Sequence, residues 1–138
     1  MEACASKSWR EVWREGVAPQ LSKLGLEALL EAIRTDDPEL IQGLTTNPAP
    51  MRETQDEVCR GGCLISYPLW KGDELTLVGD VEEAFADVYF HAGESSTVEG
   101  LLRWYDDTDR EVMRREMIPK VERELRRRES EAAALGLR

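Results

Sequence analysis

Residues 80–111 read DVEEAFADVYFHAGESSTVEGLLRWYDDTDRE and decide the fold, because three helix starts follow one another within them. Each start, at residues 80–83, 96–99 and 108–111, places a capping Asp, Ser or Thr three positions before a glutamate. Apolar residues follow each start at helical spacing. The sequence therefore predicts a mainly α, single-domain fold of about five to six helices.

Two further helical patterns precede this region. Trp9, Val12 and Trp13 share one helical face, and leucines between Leu21 and Ile33 recur at the same spacing. Gly25 weakens the second pattern and suggests a boundary between two short helices. Asp37-Pro38 predicts another short helix, because Asp caps helices well and Pro is tolerated in the first turn.

The middle of the chain shows no helical period. Residues 43–62 contain several prolines and glycines and are interpreted as an irregular loop, which could be functional, mobile or hold an unrecognised element. Residues 63–78 alternate apolar and polar positions, which favours a small β-hairpin. Pro68 argues against a regular strand there, so an irregular segment is the alternative.

A charged C-terminal helix is predicted over about 109–131, with Pro119 expected to kink or split it. Residues 1–109 carry a net charge of −13, whereas residues 110–138 carry +3. The helix has a narrow apolar stripe and a run of three arginines. We hypothesise that it contacts a protein partner or a second copy through Met113, Met117, Val121, Leu125, Arg126, Arg127 and Arg128. The alternative is a solvated face with pairs such as Glu122–Arg126 and Glu124–Arg128.

Length and charge exclude several classes of function. The chain has 138 residues, which is a typical length for a single domain, and a formal net charge of −10. Nucleic acid and anionic membranes are disfavoured as partners, because both carry dense negative charge. No signal peptide or membrane-spanning run is recognised, and the three cysteines cannot all pair. We therefore expect a soluble, cytoplasmic protein.

Cys59 and Cys63 bracket Arg60-Gly61-Gly62 and form a candidate redox or metal-binding pair. A nearby arginine would favour the thiolate, which is the reactive and metal-binding form. The four-residue spacing differs from that of thioredoxin-like and zinc-binding motifs. Two reduced thiols that pack as small apolar side chains are the alternative.

Glu83, Asp87 and His91 are spaced four residues apart, so a helix would place them on one face. Two carboxylates and an imidazole in a row could hold a divalent metal or orient His91 as a general base. The same pattern is typical of the solvated face of an amphipathic helix.

The sequence lacks a phosphate-binding loop, a dinucleotide fingerprint, a paired-histidine zinc motif and a nucleophile elbow. We therefore favour an interaction or assembly module with no catalytic activity and no cofactor. A small thiol-redox or metal-handling protein using Cys59 and Cys63 is the first alternative. A small-molecule-binding domain, with a pocket between residues 43–62 and the aromatic side chains, is the second.

Overall fold

The computed structural model describes residues 8–136, and most of their regular structure is helical, which confirms the predicted mainly α class. Helix α1 (Trp9–Glu11) passes directly into a π-helix, Val12–Val17, and a 3-10 turn, Ala18–Gln20. The α-helices are α1 (Trp9–Glu11), α2 (Lys23–Thr35), α3 (Ser66–Gly72), α4 (Val78–Ala92), α5 (Ser95–Asp107) and α6 (Arg110–Ala134).

The three helix starts of residues 80–111 lie within three residues of their predicted positions, but their caps differ from the prediction. Asp109 caps α6, and its carboxylate accepts hydrogen bonds from the amides of Glu111 and Val112. Helices α4 and α5 have no side-chain cap at all. Asp80 lies instead in the first turn of α4, where its charge complements the helix dipole.

The predicted helix at Asp37 does not form. The Asp37 side chain accepts a hydrogen bond from the amide of Glu39 and closes a turn at 2.9 Å. The chain then pairs with Gly62, which donates its amide to the Glu39 carbonyl and accepts from the Ile41 amide. The Glu39 carbonyl and the Ile41 amide, which would form hydrogen bonds within a helix, therefore form them with Gly62 instead.

Residues 43–62 contain a small antiparallel sheet. Strand β1 (Thr46–Asn47) pairs with β2 (Gly61–Gly62), with Thr46 opposite Gly62. A Cβ added at Gly62 would lie 2.7 Å from the amide nitrogen of Tyr67, so only glycine fits this approach.

The β-hairpin predicted over residues 63–78 is wrong, because α3 occupies its centre. Pro68 lies in the first turn of this helix, where a missing amide donor costs no hydrogen bond. The alternating pattern is misleading because every residue from Cys63 to Leu69 is buried, whichever way it points. Leu77 forms an isolated bridge with Val58 and belongs to no named strand.

Neither predicted helix break occurs. Helix α2 continues through Gly25, and α6 continues through Pro119 as a single helix. Pro119 is exposed, and so is Arg115, whose carbonyl loses its helical partner. Solvent can satisfy that carbonyl, so the proline is tolerated.

One main core joins the N-terminal helical segment to α2, α3, α4, α5 and α6. Its largest fully buried side chains include Trp13, Leu29, Ile33, Leu64, Tyr105 and Met117. A second, small cluster joins Cys59 to Val78 and Val81. Within residues 8–136, no helix is both long enough and apolar enough to cross a membrane.

Candidate functional site

Cys59 and Cys63 are both buried free thiols in separate apolar environments. The Cys59 Sγ donates to the carbonyl of Gly61 at 3.2 Å, and the Cys63 Sγ donates to the Ser66 Oγ at 3.6 Å. Each thiol therefore has a local acceptor, and both pack among neighbouring side chains.

Burial raises the pKa of both thiols, and the hydrogen bonds to them offset this effect only in part. This direction is the opposite of the one expected from Arg60, which points into solvent as an exposed residue. A raised pKa keeps a thiol protonated at neutral pH, and a protonated thiol is a poor nucleophile and metal ligand. The geometry favours packing over redox chemistry at this pair.

Glu83, Asp87 and His91 lie on one exposed face of α4, as their spacing predicts. The His91 Nδ1 lies 2.8 Å from the Asp87 carbonyl oxygen and 3.6 Å from its carboxylate. All three side chains are exposed, and among residues 8–136 the imidazole contacts only Asp87 and the Phe90 ring of the same helix. Across residues 8–136, no group of three or more His, Cys, Asp or Glu side chains could hold a metal ion. Cys4, a further candidate ligand, lies outside the described residues.

The apolar stripe predicted as a contact surface on α6 belongs to the chain's own core. Met113, Met117 and Val121 have no exposed surface, and Leu125 is half-buried against the same core. Side chains buried in the chain's own core offer no surface to a partner in this fold, and the contact predicted through these residues stays a prediction. The stripe is apolar because it packs against α2 and the N-terminal segment.

The three consecutive arginines of α6 lie in two different environments. Arg126 is exposed and has no ion pair among residues 8–136. Arg127 and Arg128 both bind Glu124, and the predicted Glu124–Arg128 pair is present at 2.8 Å. The other predicted partner, Glu122, pairs with Arg34 of α2 instead.

A shallow depression of about 460 Å³ lies where the second alternative expects a small-molecule pocket. Thr45 from the 43–62 segment lines it, together with Phe85 and Tyr89 of α4. The Tyr89 hydroxyl donates to the Glu99 carboxylate at 2.8 Å, so its polar atom is already satisfied. The depression is open and offers no buried polar group to orient a ligand.

A larger groove, of about 760 Å³, runs along α4 beside the end of α3, and we call it the α4 groove. Its lining combines carboxylates with apolar side chains, among them Asp73, Leu75, Asp80, Glu83, Asp87 and Phe90. Phe90 is 80% exposed, the highest value among the large apolar side chains of the described residues. Burying an exposed phenyl ring against a partner is favourable, so Phe90 is a candidate anchor for an interaction.

The electrostatics of the α4 groove are almost entirely negative. Asp73, Asp80 and Glu83 have no ion-pair partner within residues 8–136, and Asp87 contacts only His91. Unpaired carboxylates around an apolar anchor favour a ligand that carries both positive charge and apolar surface.

The sequence contains a signal for this groove that our predictions did not use. The signal is the position of Phe90 on the helix. Phe90 follows Asp87 by three positions and Glu83 by seven, so it lies on the charged face of α4. An aromatic residue on the polar side of an amphipathic helix is the kind of exception that indicates binding.

Comparisons with protein-family models, curated proteins and solved structures find no match for this chain.

Proposed function

We propose that this chain is a non-catalytic binding module that docks a basic, amphipathic polypeptide segment in the α4 groove. Phe90 is the apolar anchor, and the surrounding carboxylates contact the cationic side chains of the partner. The exposure of Phe90 among four carboxylates is the observation that supports this function most strongly.

Phe90 and the surrounding carboxylates contribute differently to the free energy of binding. Burying a phenylalanine side chain contributes about 1.5–3 kcal/mol, and aromatic anchors dominate many protein interfaces. Ion pairs at an exposed rim contribute only about 0.2–1 kcal/mol each. The carboxylates therefore act mainly on association rate and specificity, whereas Phe90 supplies affinity.

A separate basic chain fits the α4 groove better than a second copy of this one. A two-fold symmetric dimer through the groove would place the same carboxylates opposite each other, and like charges repel. Four of the seven arginines of α6 pair with acids of the described residues, as in Arg110–Asp36 and Arg114–Glu111. The homo-oligomer expected through α6 is therefore the less favoured arrangement.

Our proposal that the chain is non-catalytic rests on the environments of its candidate catalytic residues, Cys59, Cys63 and His91. The two central thiols are buried, and burial raises their pKa. The single histidine of the sequence is exposed beside Asp87 and lies in no enclosed pocket. A general base needs a defined position against its substrate, and a solvated imidazole on one helix lacks it.

The test uses a fluorescein-labelled peptide of leucine and lysine, about 18 residues or five helical turns long, with an amphipathic pattern. Fluorescence anisotropy at low salt measures its dissociation constant. We expect Phe90→Ala to weaken binding about tenfold, the equivalent of about 1.4 kcal/mol. Glu83→Gln should weaken it less and reduce its salt dependence. Leu135→Ala and Glu53→Gln are matched exposed controls and should leave binding unchanged.

Three results would overturn the proposal. Equal losses in Phe90→Ala and Leu135→Ala would show that the groove is not the site. Equal binding of a scrambled peptide of the same composition would show that charge alone drives association. Concentration-dependent self-association in sedimentation, abolished by Phe90→Ala, would assign the groove to a second copy.

A further inference from the structure

A second cavity, of about 320 Å³, lies between the N-terminal helical segment and α6, and we call it the basic cleft. Its lining includes five cationic side chains around a tryptophan, namely Arg10, Trp13, Arg14, Lys120, Arg123 and Arg127. Such a concentration of positive charge is unexpected in a chain whose net charge is −10. Its volume is typical of small-molecule sites.

Intramolecular ion pairs neutralise these cations only in part. Arg10 and Lys120 share Glu116, at 3.6 and 2.9 Å, and Arg14 pairs with Glu15. Arg123 has no ion-pair partner among residues 8–136.

The other side of the basic cleft holds as many acids as cations. Arg127 and Arg128 share Glu124, and Arg127 also contacts Glu131. Arg128 does not line the cleft, so five lining cations stand against four carboxylates within residues 8–136. The local excess is therefore one positive charge.

Several of the cations are held in place before any ligand binds. The Arg10 guanidinium lies 4.5 Å from the centre of the Trp9 ring, and the Lys120 ammonium lies 5.4 Å from it. Trp9 in turn stacks on Trp104 at 3.8 Å, which fixes the ring. Cation–π contacts of this kind restrict the side chains and so reduce the entropy lost on binding.

Glu124 fixes the far side of the basic cleft. It is 4% exposed and accepts two hydrogen bonds from Arg127, at 3.1 and 2.8 Å. Arg128 donates both to Glu124 and to the carbonyl of Ala18, which ties α6 to the N-terminal segment. The cleft is thus a preformed feature of the packing between these two elements.

We propose that the basic cleft is a binding site for a small phosphate monoester with an apolar or aromatic body. A phosphate monoester carries nearly two negative charges at neutral pH and can pair with the excess positive charge, which Arg123 carries. Arginine guanidinium groups bind phosphate oxygens through paired hydrogen bonds. Trp13, which is 1% exposed, closes the floor of the cleft, and the aliphatic stems of the lining Arg and Lys side chains supply apolar surface for the organic part.

A polyanion such as nucleic acid fits less well. The rest of the molecule is strongly acidic and would repel phosphates that extend beyond the cleft. The basic cleft is also separate from the α4 groove, so this proposal does not depend on the proposed function.

The test is isothermal titration calorimetry with phenyl phosphate at low salt and about pH 7.5, where the phosphate is a dianion. We expect phenyl phosphate to bind more tightly than inorganic phosphate, and phenol not to bind. Arg123→Gln should weaken phenyl phosphate binding about tenfold, as expected for the loss of one charged hydrogen-bonding group. Arg115→Gln removes the same charge from an exposed position of α6 outside the cleft, and it should leave binding unchanged.

Circular dichroism of both variants verifies that each is folded. No binding of phenyl phosphate by the folded wild type would overturn the proposal. Equal losses in Arg123→Gln and Arg115→Gln would also overturn it, because they would show a general charge effect. Tighter binding of a thymidine oligonucleotide, sensitive to Arg123→Gln, would assign the cleft to a polyanion instead.

Discussion

Gly72, the last residue of α3, lies directly against Gly25 near the start of α2. A Cβ built on Gly72 would lie 2.3 Å from the Cα of Gly25, and one built on Gly25 would lie 2.5 Å from the Pro68 carbonyl oxygen. Both distances are far shorter than a van der Waals contact, and the opposing atoms are backbone. The two helices therefore cross with their backbones touching, and neither glycine can be replaced without moving a helix.

We expect Gly72→Ala to lower the free energy of unfolding by about 1–3 kcal/mol, the usual cost of forcing extra atoms into a packed interface. Gly100→Ala is the matched control, because a Cβ at Gly100 meets no atom within 4 Å. Gly100 lies inside α5, so alanine there should stabilise the protein by about 0.5–1 kcal/mol. Urea unfolding of the two variants measures both effects. A stabilised Gly72→Ala would contradict the close crossing.

The amphipathic helices were predictable from the sequence, because their periodicity is local. Helices α2, α4, α5 and α6 each show an apolar face at helical spacing, and the structure buries those faces. Helix α3 was not predictable in this way. Residues Ser66 to Leu69 are buried on every side, so the segment has no polar face and no helical period.

Features that depend on distant parts of the chain could not be predicted. The pairing of β1 with β2 rests on two glycines whose neighbours are set by the tertiary fold. The basic cleft joins Arg10 and Arg14 to residues more than a hundred positions later. Phe90 was the exception, because its position on the charged face of α4 follows from spacing alone.

The ion pairs of Glu124 make the stability of the protein dependent on pH. Burial raises the pKa of Glu124, but hydrogen bonds and charges from Arg127 and Arg128 outweigh burial, so the pKa lies below its ordinary value of 4.5. A group with a lowered folded-state pKa stabilises the fold above its unfolded pKa. That stabilisation is lost as the pH falls through the folded-state pKa.

Glu124→Gln should therefore lower the free energy of unfolding by about 1–3 kcal/mol at neutral pH, the cost of losing charged hydrogen bonds. The difference from wild type should shrink once the pH is well below 4.5, where both side chains are uncharged. Glu129→Gln, at an exposed position with no ion pair in the described residues, is the control. Thermal unfolding across this pH range checks the prediction. A constant difference at every pH would contradict it.

The buried thiols should be unreactive in the folded protein. In a Cys4→Ser variant, which leaves Cys59 and Cys63 as the remaining cysteines, we expect a thiol reagent to label neither side chain rapidly at neutral pH. Burial raises the pKa of both and also blocks access to sulfur. Both thiols should react at once in denaturant. Rapid labelling without denaturant would restore the redox interpretation.

The apolar stripe of α6 contributes to stability, and one comparison along the helix tests this. Met117 has no exposed surface, so Met117→Ala should cost about 2–5 kcal/mol of unfolding free energy by leaving a cavity. Val112 lies on the same helix but is 40% exposed, so Val112→Ala should change stability by less than about 1 kcal/mol. A contact surface would behave in the opposite way, because removing an exposed apolar group weakens association and leaves the monomer stable. Urea unfolding and sedimentation of the same two variants separate these cases. A stable Met117→Ala that changes only the state of association would return α6 to the role of an interface.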